Sequence, residues 1–242
     1  MTPRFFIPLL ILLLLIPGRT GAEKKPFKSD LRIGPAAGIN LSKVSFHPAI
    51  KEQYALKYNA GIAVRWTTER YFGIQGEIKY SARGWEREFV DKAFIEQGFE
   101  YSRDINYIEA PLMTHIYFGG DVVRGFFNLG PQIGFYLNDK EIYNFENYLN
   151  GLSKEERLKN FPEAGRPIQK KFDWGICGGG GFEVRTKTGS YIIEARYYFG
   201  LGNIFNSKKG IDDDGLKINP LDRSAHSNIS VNFVYLIPIS IK

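Results

Sequence analysis

The sequence predicts an all-β protein, an eight-stranded antiparallel up-and-down transmembrane β-barrel with a polar, charge-filled lumen. Two observations carry this prediction. Apolar and polar residues alternate with a period of two in eight separate segments, as they do along a strand with one apolar face. The connections between these segments are alternately long and short. Transmembrane barrels combine an even strand number with short turns at one end and long loops at the other.

The clearest predicted element is a hairpin that turns at Gly119–Asp121. One face of each flanking run is apolar, and the opposite face includes Glu109, His115, Asn128 and Asn138. Each run has about 10 residues, which is enough to cross a bilayer as a tilted strand. The hairpin therefore predicts two membrane-spanning strands with a polar lumenal face.

Six further segments repeat this alternation, and they complete a set of eight strands. The sixth strand is predicted over Phe172–Arg185. The four long connections are predicted over Ser42–Lys57, Ser81–Asp104, Asp139–Lys171 and Gly202–Ala225. The third contains a capping box that begins at Ser153, which predicts a short exposed helix.

The N-terminal segment has the pattern of a secretory signal peptide. Arg4 precedes an apolar run over Phe5–Ile16, and small residues at Thr20–Ala22 predict cleavage after Ala22. A membrane anchor would need about 20 apolar residues. The predicted organisation is a signal peptide over residues 1–22, a polar leader over 23–30 and a barrel domain over 31–242.

Composition excludes several other classes. The single cysteine, Cys177, excludes a disulfide framework and a cysteine-based zinc site. The formal charge of +6 is spread along the chain, and no Lys/Arg cluster is interleaved with aromatic residues. We therefore expect no nucleic-acid partner, and also no cofactor and no metal.

The direction of the apolar face distinguishes two kinds of barrel. A soluble lipocalin-like barrel turns its apolar face inward, whereas a membrane barrel turns it to lipid. Here the polar face has nearly equal numbers of cationic and anionic groups and many glycines, which fits a crowded lumen. The predicted lumenal ion-pair network comprises Arg32, Arg65, Glu77, Lys79, Glu109, Glu183, Arg185, Glu194 and Arg196.

Aromatic residues recur near the strand ends on the apolar face. Such residues form girdles at membrane–water interfaces. The predicted girdles comprise Trp66, Phe72 and Phe118 near the short turns, and Tyr80, Phe135, Trp174 and Phe199 towards the long loops.

Four sequence motifs resemble the PorT-type outer-membrane β-barrel family. They are Gly38–Ser42, Gln75–Ser81 followed by Gly84, Tyr107–Leu112 and Asn128–Gly134. Their order and spacing extend the resemblance over essentially the whole mature chain. The resemblance implies an eight-stranded barrel in the outer membrane of a Gram-negative envelope. It implies little about activity, because the family takes its name from a member needed for type IX secretion.

The expected function is therefore that of a non-enzymatic structural or accessory protein of the outer membrane. Its long loops are expected outside the cell and its termini in the periplasm, and its partners are outer-membrane lipid and other envelope or secretion-system proteins. Two alternatives are a narrow outer-membrane pore and a small-ligand-binding or enzymatic barrel. The triplet Asp212–Asp214 is expected to be a solvated turn rather than a cation site.

For the enzymatic alternative, the residues that could be named are a pair of carboxylates acting as acid and base. Glu77 and Glu109 lie on neighbouring predicted strands, but an ion-pair network explains both because buried charges need partners. His115 is the only histidine within a predicted strand, whereas His47 and His226 lie in or beside predicted loops. No Ser/His/Asp arrangement typical of a nucleophilic triad is evident.

Overall fold

The computed structural model describes residues 27–206 and 221–239, which form one antiparallel sheet with three short helices. The strands are β1 (Asp30–His47), β2 (Glu52–Gln53), β3 (Ala55–Glu69), β4 (Phe72–Arg87), β5 (Tyr101–Gly119), β6 (Val123–Tyr143), β7 (Phe172–Arg185), β8 (Ser190–Gly200) and β9 (Arg223–Ile239). The helices are α1 (Lys92–Glu96), α2 (Glu146–Gly151) and α3 (Lys154–Asn160).

Eight of these strands close into a ring. Each pairs with its neighbour in the order β1, β3, β4, β5, β6, β7, β8, β9, and β9 pairs again with β1. The two-residue β2 pairs with the last residues of β4 and lies outside the ring order. The predicted eight-stranded up-and-down barrel is thus confirmed, and β2 is a small addition to it.

The two ends of the barrel differ. Residues 70–71, 120–122 and 186–189 make the three short turns, and β1 begins and β9 ends on the same side. We call this side the short-turn end. The opposite side, the loop end, has the connections over residues 48–54, 88–100 and 144–171, and the described residues 201–206 and 221–222 of a fourth connection.

Side chains alternate between the wall and the lumen along every long strand. Ile62, Ile78 and Phe182 lie on the outer wall, with 56%, 66% and 68% of their surface exposed. Polar residues on the opposite face, such as Asn40 and Gln75, are buried in the lumen. The barrel is therefore apolar outside and polar inside over its middle, as the alternation predicts.

In each of the four long connections at least one predicted bound is wrong, although the predicted end of the third at Lys171 is confirmed. The segment Ser81–Asp104, for example, includes the last residues of β4, which ends at Arg87, and the first residues of β5, which begins at Tyr101. The sequence prediction followed the apolar outer face, whereas the backbone pairing continues beyond the point where that face becomes polar. There the lumenal positions are apolar, as at Trp85 and Tyr101.

Asn138 is exposed, so its predicted lumenal position is also wrong. The register between β5 and β6 shifts at this point, because Asn106 pairs with Asn138 and Tyr107 pairs with Tyr136. A β-bulge of this kind moves the following residues to the opposite face. Asp139 faces the lumen instead and pairs with an arginine described below.

Two predictions fall outside the described residues. The signal peptide over residues 1–22 and the triplet Asp212–Asp214 both lie in segments that the structure does not describe. Among the helices that it does describe, none is both long enough and apolar enough to cross a membrane.

The loop end is filled by a second core, which we call the loop cap. Inward residues of the strands, including Phe46, Trp85 and Ile105, pack there against Phe161 and Phe205 from the connections. The other buried members are Val44, Tyr101, Tyr107, Phe145, Leu149, Ala164, Ile168, Ile204 and Leu221. The described parts of the long connections thus fold back into the barrel mouth.

Candidate functional site

The middle of the lumen is filled by charged side chains, which we call the ionic lumen. Its described members are four cations and five carboxylates, and each has at most 8% of its surface exposed. They are Arg65, Lys79, Arg83 and Arg196, with Glu77, Glu109, Asp173, Glu183 and Glu194. Buried charges of this kind are tolerated only when they are paired and hydrogen-bonded.

Arg196 is the centre of the first group in the ionic lumen. Its two terminal nitrogens donate to the carboxylate of Glu77 at 2.9 and 2.7 Å, across the barrel from β8 to β4. It also contacts Glu194 on its own strand. Lys79 Nζ lies 3.4 Å from Glu77 Oε2, and Gln75 Nε2 donates to Glu77 Oε1 at 2.6 Å. Glu77 is therefore bound from three directions.

Arg65 joins this group to the short-turn side of the lumen. Its Nε and Nη2 donate to Gln75 Oε1 at 2.8 and 2.6 Å, and its Nη1 donates to Glu183 Oε2 at 3.2 Å. Its guanidinium also lies 5.1 Å from the centre of the Phe126 ring. The planar fork of arginine makes such multiple, oriented contacts possible.

Arg83 is the centre of the second group, nearer the loop end. Its Nε lies 2.6 Å from Glu109 Oε1, and its Nη1 donates to Asp173 Oδ2 at 2.8 Å. The Tyr198 hydroxyl donates to the same Asp173 oxygen at 2.8 Å, and the Tyr198 ring lies 4.3 Å from the guanidinium carbon of Arg83. Gln132 Nε2 completes the group with a 3.0 Å bond to Glu109.

The sequence prediction did not include Arg83 in the network. It lies in a segment predicted as a loop, as do Arg103 and Asp139. Arg103 Nε and Nη2 both donate to Asp139 Oδ2, at 2.9 and 2.6 Å. The signal was present for Arg83, because the alternation of Lys79 and Ser81 simply continues through it. Following that alternation beyond the apolar outer face would have found this residue.

The remaining predicted network residues, Arg32 and Arg185, lie at the short-turn end. Both donate to Asp30 Oδ2 at 2.7 Å, from Arg32 Nε and Arg185 Nη2. Arg185 Nε also lies 3.9 Å from Glu183 Oε1, which connects this pair to the ionic lumen. The predicted members of the network are thus distributed over three groups along the barrel axis.

Two histidines are buried in the lumen as hydrogen-bonded side chains. His115 Nδ1 lies 2.8 Å from Asn128 Oδ1, and His226 Nε2 lies 3.0 Å from the Tyr107 hydroxyl. The prediction that His226 lies in or beside a loop is wrong, because β9 begins at Arg223. Cys177, the only cysteine, packs against Met113 and Tyr198.

All seven predicted girdle residues lie on the outer wall. Six have between 38% and 52% of their surface exposed, and Tyr80 is partly exposed. The six are Trp66, Phe72, Phe118, Phe135, Trp174 and Phe199.

The loop cap contains two further carboxyl groups, the buried Glu163 and the partly buried Glu52. Arg87 Nη1 donates to Glu163 Oε1 at 2.5 Å, and the backbone N–H of Val44 donates to Glu52 Oε2 at 2.9 Å. Burial raises the pKa of Glu52 to about 7 and also raises the pKa of Glu163. Over residues 27–206 and 221–239, no group of three or more His, Cys, Asp or Glu side chains is arranged to hold a metal ion.

Solved structures similar to this chain are outer-membrane barrels, although the similarities are weak. The Ail protein of Yersinia pestis is 12% identical, with 86% of this chain and 97% of that chain covered and a TM-score of 0.36. Neisserial surface protein A is 8% identical, with coverages of 86% and 99% and a TM-score of 0.42. The N-terminal β-barrel domain of Pseudomonas aeruginosa OprF is 10% identical, with coverages of 85% and 96% and a TM-score of 0.34.

The comparison with family models is more specific. None of the curated proteins matches the chain. The model described as "Outer membrane protein beta-barrel domain" matches residues 22–206, which is more than half of the sequence. With its closed ring, apolar wall and polar lumen, this chain belongs to the outer membrane protein beta-barrel domain family.

Proposed function

We propose that this protein is a closed, non-enzymatic outer-membrane barrel that serves as a structural or accessory component of the envelope. The observation that supports this most directly is that two sets of side chains fill the barrel interior. The ionic lumen occupies the middle, and the loop cap fills the loop end. A barrel of eight strands leaves room inside for little more than side chains.

The packed interior opposes both alternatives. A pore needs a continuous water-filled path, whereas hydrogen bonds cross the lumen here. Arg196 donates to Glu77, and Gln75 connects Glu77 to Arg65. An acid/base site needs a carboxylate that is free to exchange a proton with a substrate. Glu77 and Glu109 are instead each held by a guanidinium at 2.6–2.9 Å.

Conductance across a planar bilayer tests whether the barrel is closed. We expect no stepwise current from the wild-type chain, and none from a variant whose residues 144–171 are replaced by a short Gly-Ser linker. The second result is expected because the ionic lumen stays in place when part of the loop cap is removed. Steps of reproducible size from wild-type protein would contradict a closed barrel and support the pore.

We further propose that the loop end faces the outside and that both termini lie in the periplasm. An exported chain with a cleaved signal peptide reaches the membrane from the periplasm, and long loops are extracellular in barrels of this class. The aromatic residues of the outer wall would then lie at the two headgroup levels. The mature N-terminus is expected at Glu23 and can be read by mass spectrometry.

Cysteine labelling on intact cells tests this orientation. Lys159→Cys in α3 and Lys187→Cys in the β7–β8 turn both replace exposed residues, and the native Cys177 is fully buried. A membrane-impermeant maleimide should label Lys159→Cys directly and Lys187→Cys only after permeabilisation. The reverse pattern would show that the loop end faces the periplasm.

The accessory role is supported by the resemblance to the PorT-type family, which suggests service to an outer-membrane secretion or assembly machine. Copurification from native outer membranes after mild crosslinking tests it. A stoichiometric partner is expected and would identify the machine. Recovery of the barrel alone would contradict an accessory role and favour a free-standing structural protein.

A further inference from the structure

A cavity of about 650 Å³ opens at the short-turn end of the barrel. Its wall is formed by the residues before and at the start of β1, by the ends of β3, β5, β7 and β9, and by the start of β6. Cavities of this size hold small ligands or lipid headgroups. We propose that this cavity binds a phosphate-bearing ligand.

The charge of the lining residues favours an anion. Four cationic residues, Lys28, Arg32, Arg124 and Arg185, line the cavity, and Asp30 is the one carboxylate among its lining residues. The ionic lumen next to it differs, because its cations and carboxylates are present in nearly equal numbers. The excess of positive charge is therefore a property of the residues that line this cavity.

The arginines at the cavity are incompletely neutralised by protein groups. A single oxygen, Asp30 Oδ2, accepts from both Arg32 and Arg185 at 2.7 Å. Arg124 has Asp121 as its carboxylate neighbour at 4.0 Å, and the Asp121 side chain is fully exposed. Arg185 Nε also lies 3.9 Å from Glu183 Oε1. One shared oxygen and two carboxylates at 3.9 and 4.0 Å leave room for another oxyanion.

The same arginines are held in place and partly shielded from water. Their side chains are 10%, 13% and 21% exposed for Arg32, Arg124 and Arg185. The Arg124 guanidinium carbon lies 4.4 Å from the centre of the Tyr117 ring, and Arg124 Nε donates to the Gly120 carbonyl at 3.1 Å. Partial burial strengthens the attraction to an anion, and fixed side chains lose little entropy on binding.

Phosphate fits this arrangement better than a single carboxylate does. The three guanidinium groups come from three different strands, β1, β6 and β7, and all three residues line the same cavity. A tetrahedral phosphate presents oxygens in several directions, and arginine forms bidentate pairs with it. Phe27, Leu31, Pro238 and Ile239 add an apolar part to the wall. The phosphate can come from a phospholipid headgroup or from a free, soluble phosphate.

Isothermal titration of the full mature barrel in a maltoside detergent, which contains no phosphate, tests the site. The probes are inorganic phosphate and a water-soluble short-chain phosphatidylglycerol. Wild-type protein should bind at least one of them saturably, and Arg124→Gln should weaken that binding about tenfold, the equivalent of one charge-assisted hydrogen bond. Binding should also weaken as the salt concentration rises.

The matched control is Arg70→Gln, which makes the same change at an exposed position in the β3–β4 turn, outside the cavity lining. It should bind like wild type. Lys28→Gln is a second test variant, since Lys28 precedes the barrel wall and its replacement leaves every strand intact. Heat-dependent gel migration verifies that each variant is folded.

Binding of inorganic phosphate would identify a free phosphate as sufficient. Binding of the lipid but not of inorganic phosphate would show that the ligand is a phospholipid, whose headgroup and apolar chains are both needed. Either result supports the site. Absence of saturable binding by either probe would overturn the proposal. An equal loss of affinity in Arg70→Gln would overturn it too, because the attraction would then reflect overall charge and not the cavity.

Discussion

The ionic lumen and the loop cap are built on the same strands with opposite polarity. In the ionic lumen, charged residues such as Arg196 and Glu77 fill the interior, and apolar residues such as Ile78 cover the wall. In the loop cap, Trp85 and Phe161 fill the interior, and the outer face of the strands is polar, as at Lys140. The polarity inverts where the surroundings of the wall change from lipid to water.

This difference shows what each region contributes. Lipid provides no hydrophobic driving force for filling the lumen, so oriented ion pairs and hydrogen bonds hold the interior of the membrane part. Water outside the loop end restores the usual hydrophobic effect, so the loop cap packs like the core of a soluble domain. Defects in the two regions should therefore have different consequences.

The largest effect is expected in the ionic lumen. Glu77→Ala removes the carboxylate that Arg196, Lys79 and Gln75 share, and it leaves buried cations with fewer partners. Breaking a buried pair costs about 3–5 kcal/mol. Unfolding of the barrel in urea, followed by heat-dependent gel migration, should show this loss. Glu69→Ala, at the exposed end of β3, is the control; equal stability of the two variants would contradict the role of Glu77.

A mutation in the loop cap that costs a similar free energy should unfold the cap and leave the barrel folded. Phe161 is 1% exposed and its ring contacts Phe94, Phe145 and Tyr148. Phe161→Ala should cost about 3–5 kcal/mol of packing, yet the barrel below should still fold. Proteolysis of the connections should accelerate while gel migration stays that of the folded barrel. Val90→Ala, at a residue 58% exposed, should change neither measurement. Loss of the folded barrel in Phe161→Ala would show that the two regions are one cooperative unit.

The stability of the loop cap should also depend on pH, because Glu52 binds a proton more tightly in the folded cap. Burial raises its pKa from an unfolded value of 4.5 to about 7, so the folded cap favours the protonated form. Its stability is greatest below pH 4.5 and falls as the pH rises towards 7, by an amount on the order of 2 kcal/mol. Hydrogen exchange of the cap measured from pH 4 to 8 should follow this curve after correction for intrinsic rates. Glu52→Gln should flatten it, and an unchanged curve would assign the dependence to other groups.

The smallest effect is expected at the exposed surface of the cap. Ser153 caps α3, since its hydroxyl accepts from the Glu156 N–H while the Glu156 side chain accepts from the Ser153 N–H. Ser153→Ala should lower the stability of this helix by about 1 kcal/mol and leave the barrel unaffected. Amide exchange in α3 measures the loss. Ser153→Thr keeps the capping oxygen and should restore slow exchange.

Much of the fold follows from period-two alternation together with the spacing of turns. The bounds predicted for the sixth strand, Phe172 to Arg185, are those of β7. The alternation fails as a guide where its polarity reverses, so it predicts a loop at the end of β4 and the start of β5. It also fails at the bulge near Asn138, because a one-residue shift is invisible in the composition of the strand.

The sequence by itself determined the class of this protein, since an apolar face of about 10 residues is required of any strand in lipid. It also determined which faces carry the charged groups. The tertiary structure decided which charges meet, because Arg196 and Glu77 are 119 positions apart and come together only when the ring closes. Closure likewise brings Lys28, Arg32, Arg124 and Arg185 to one cavity, and it lets the long connections fold into the opposite mouth.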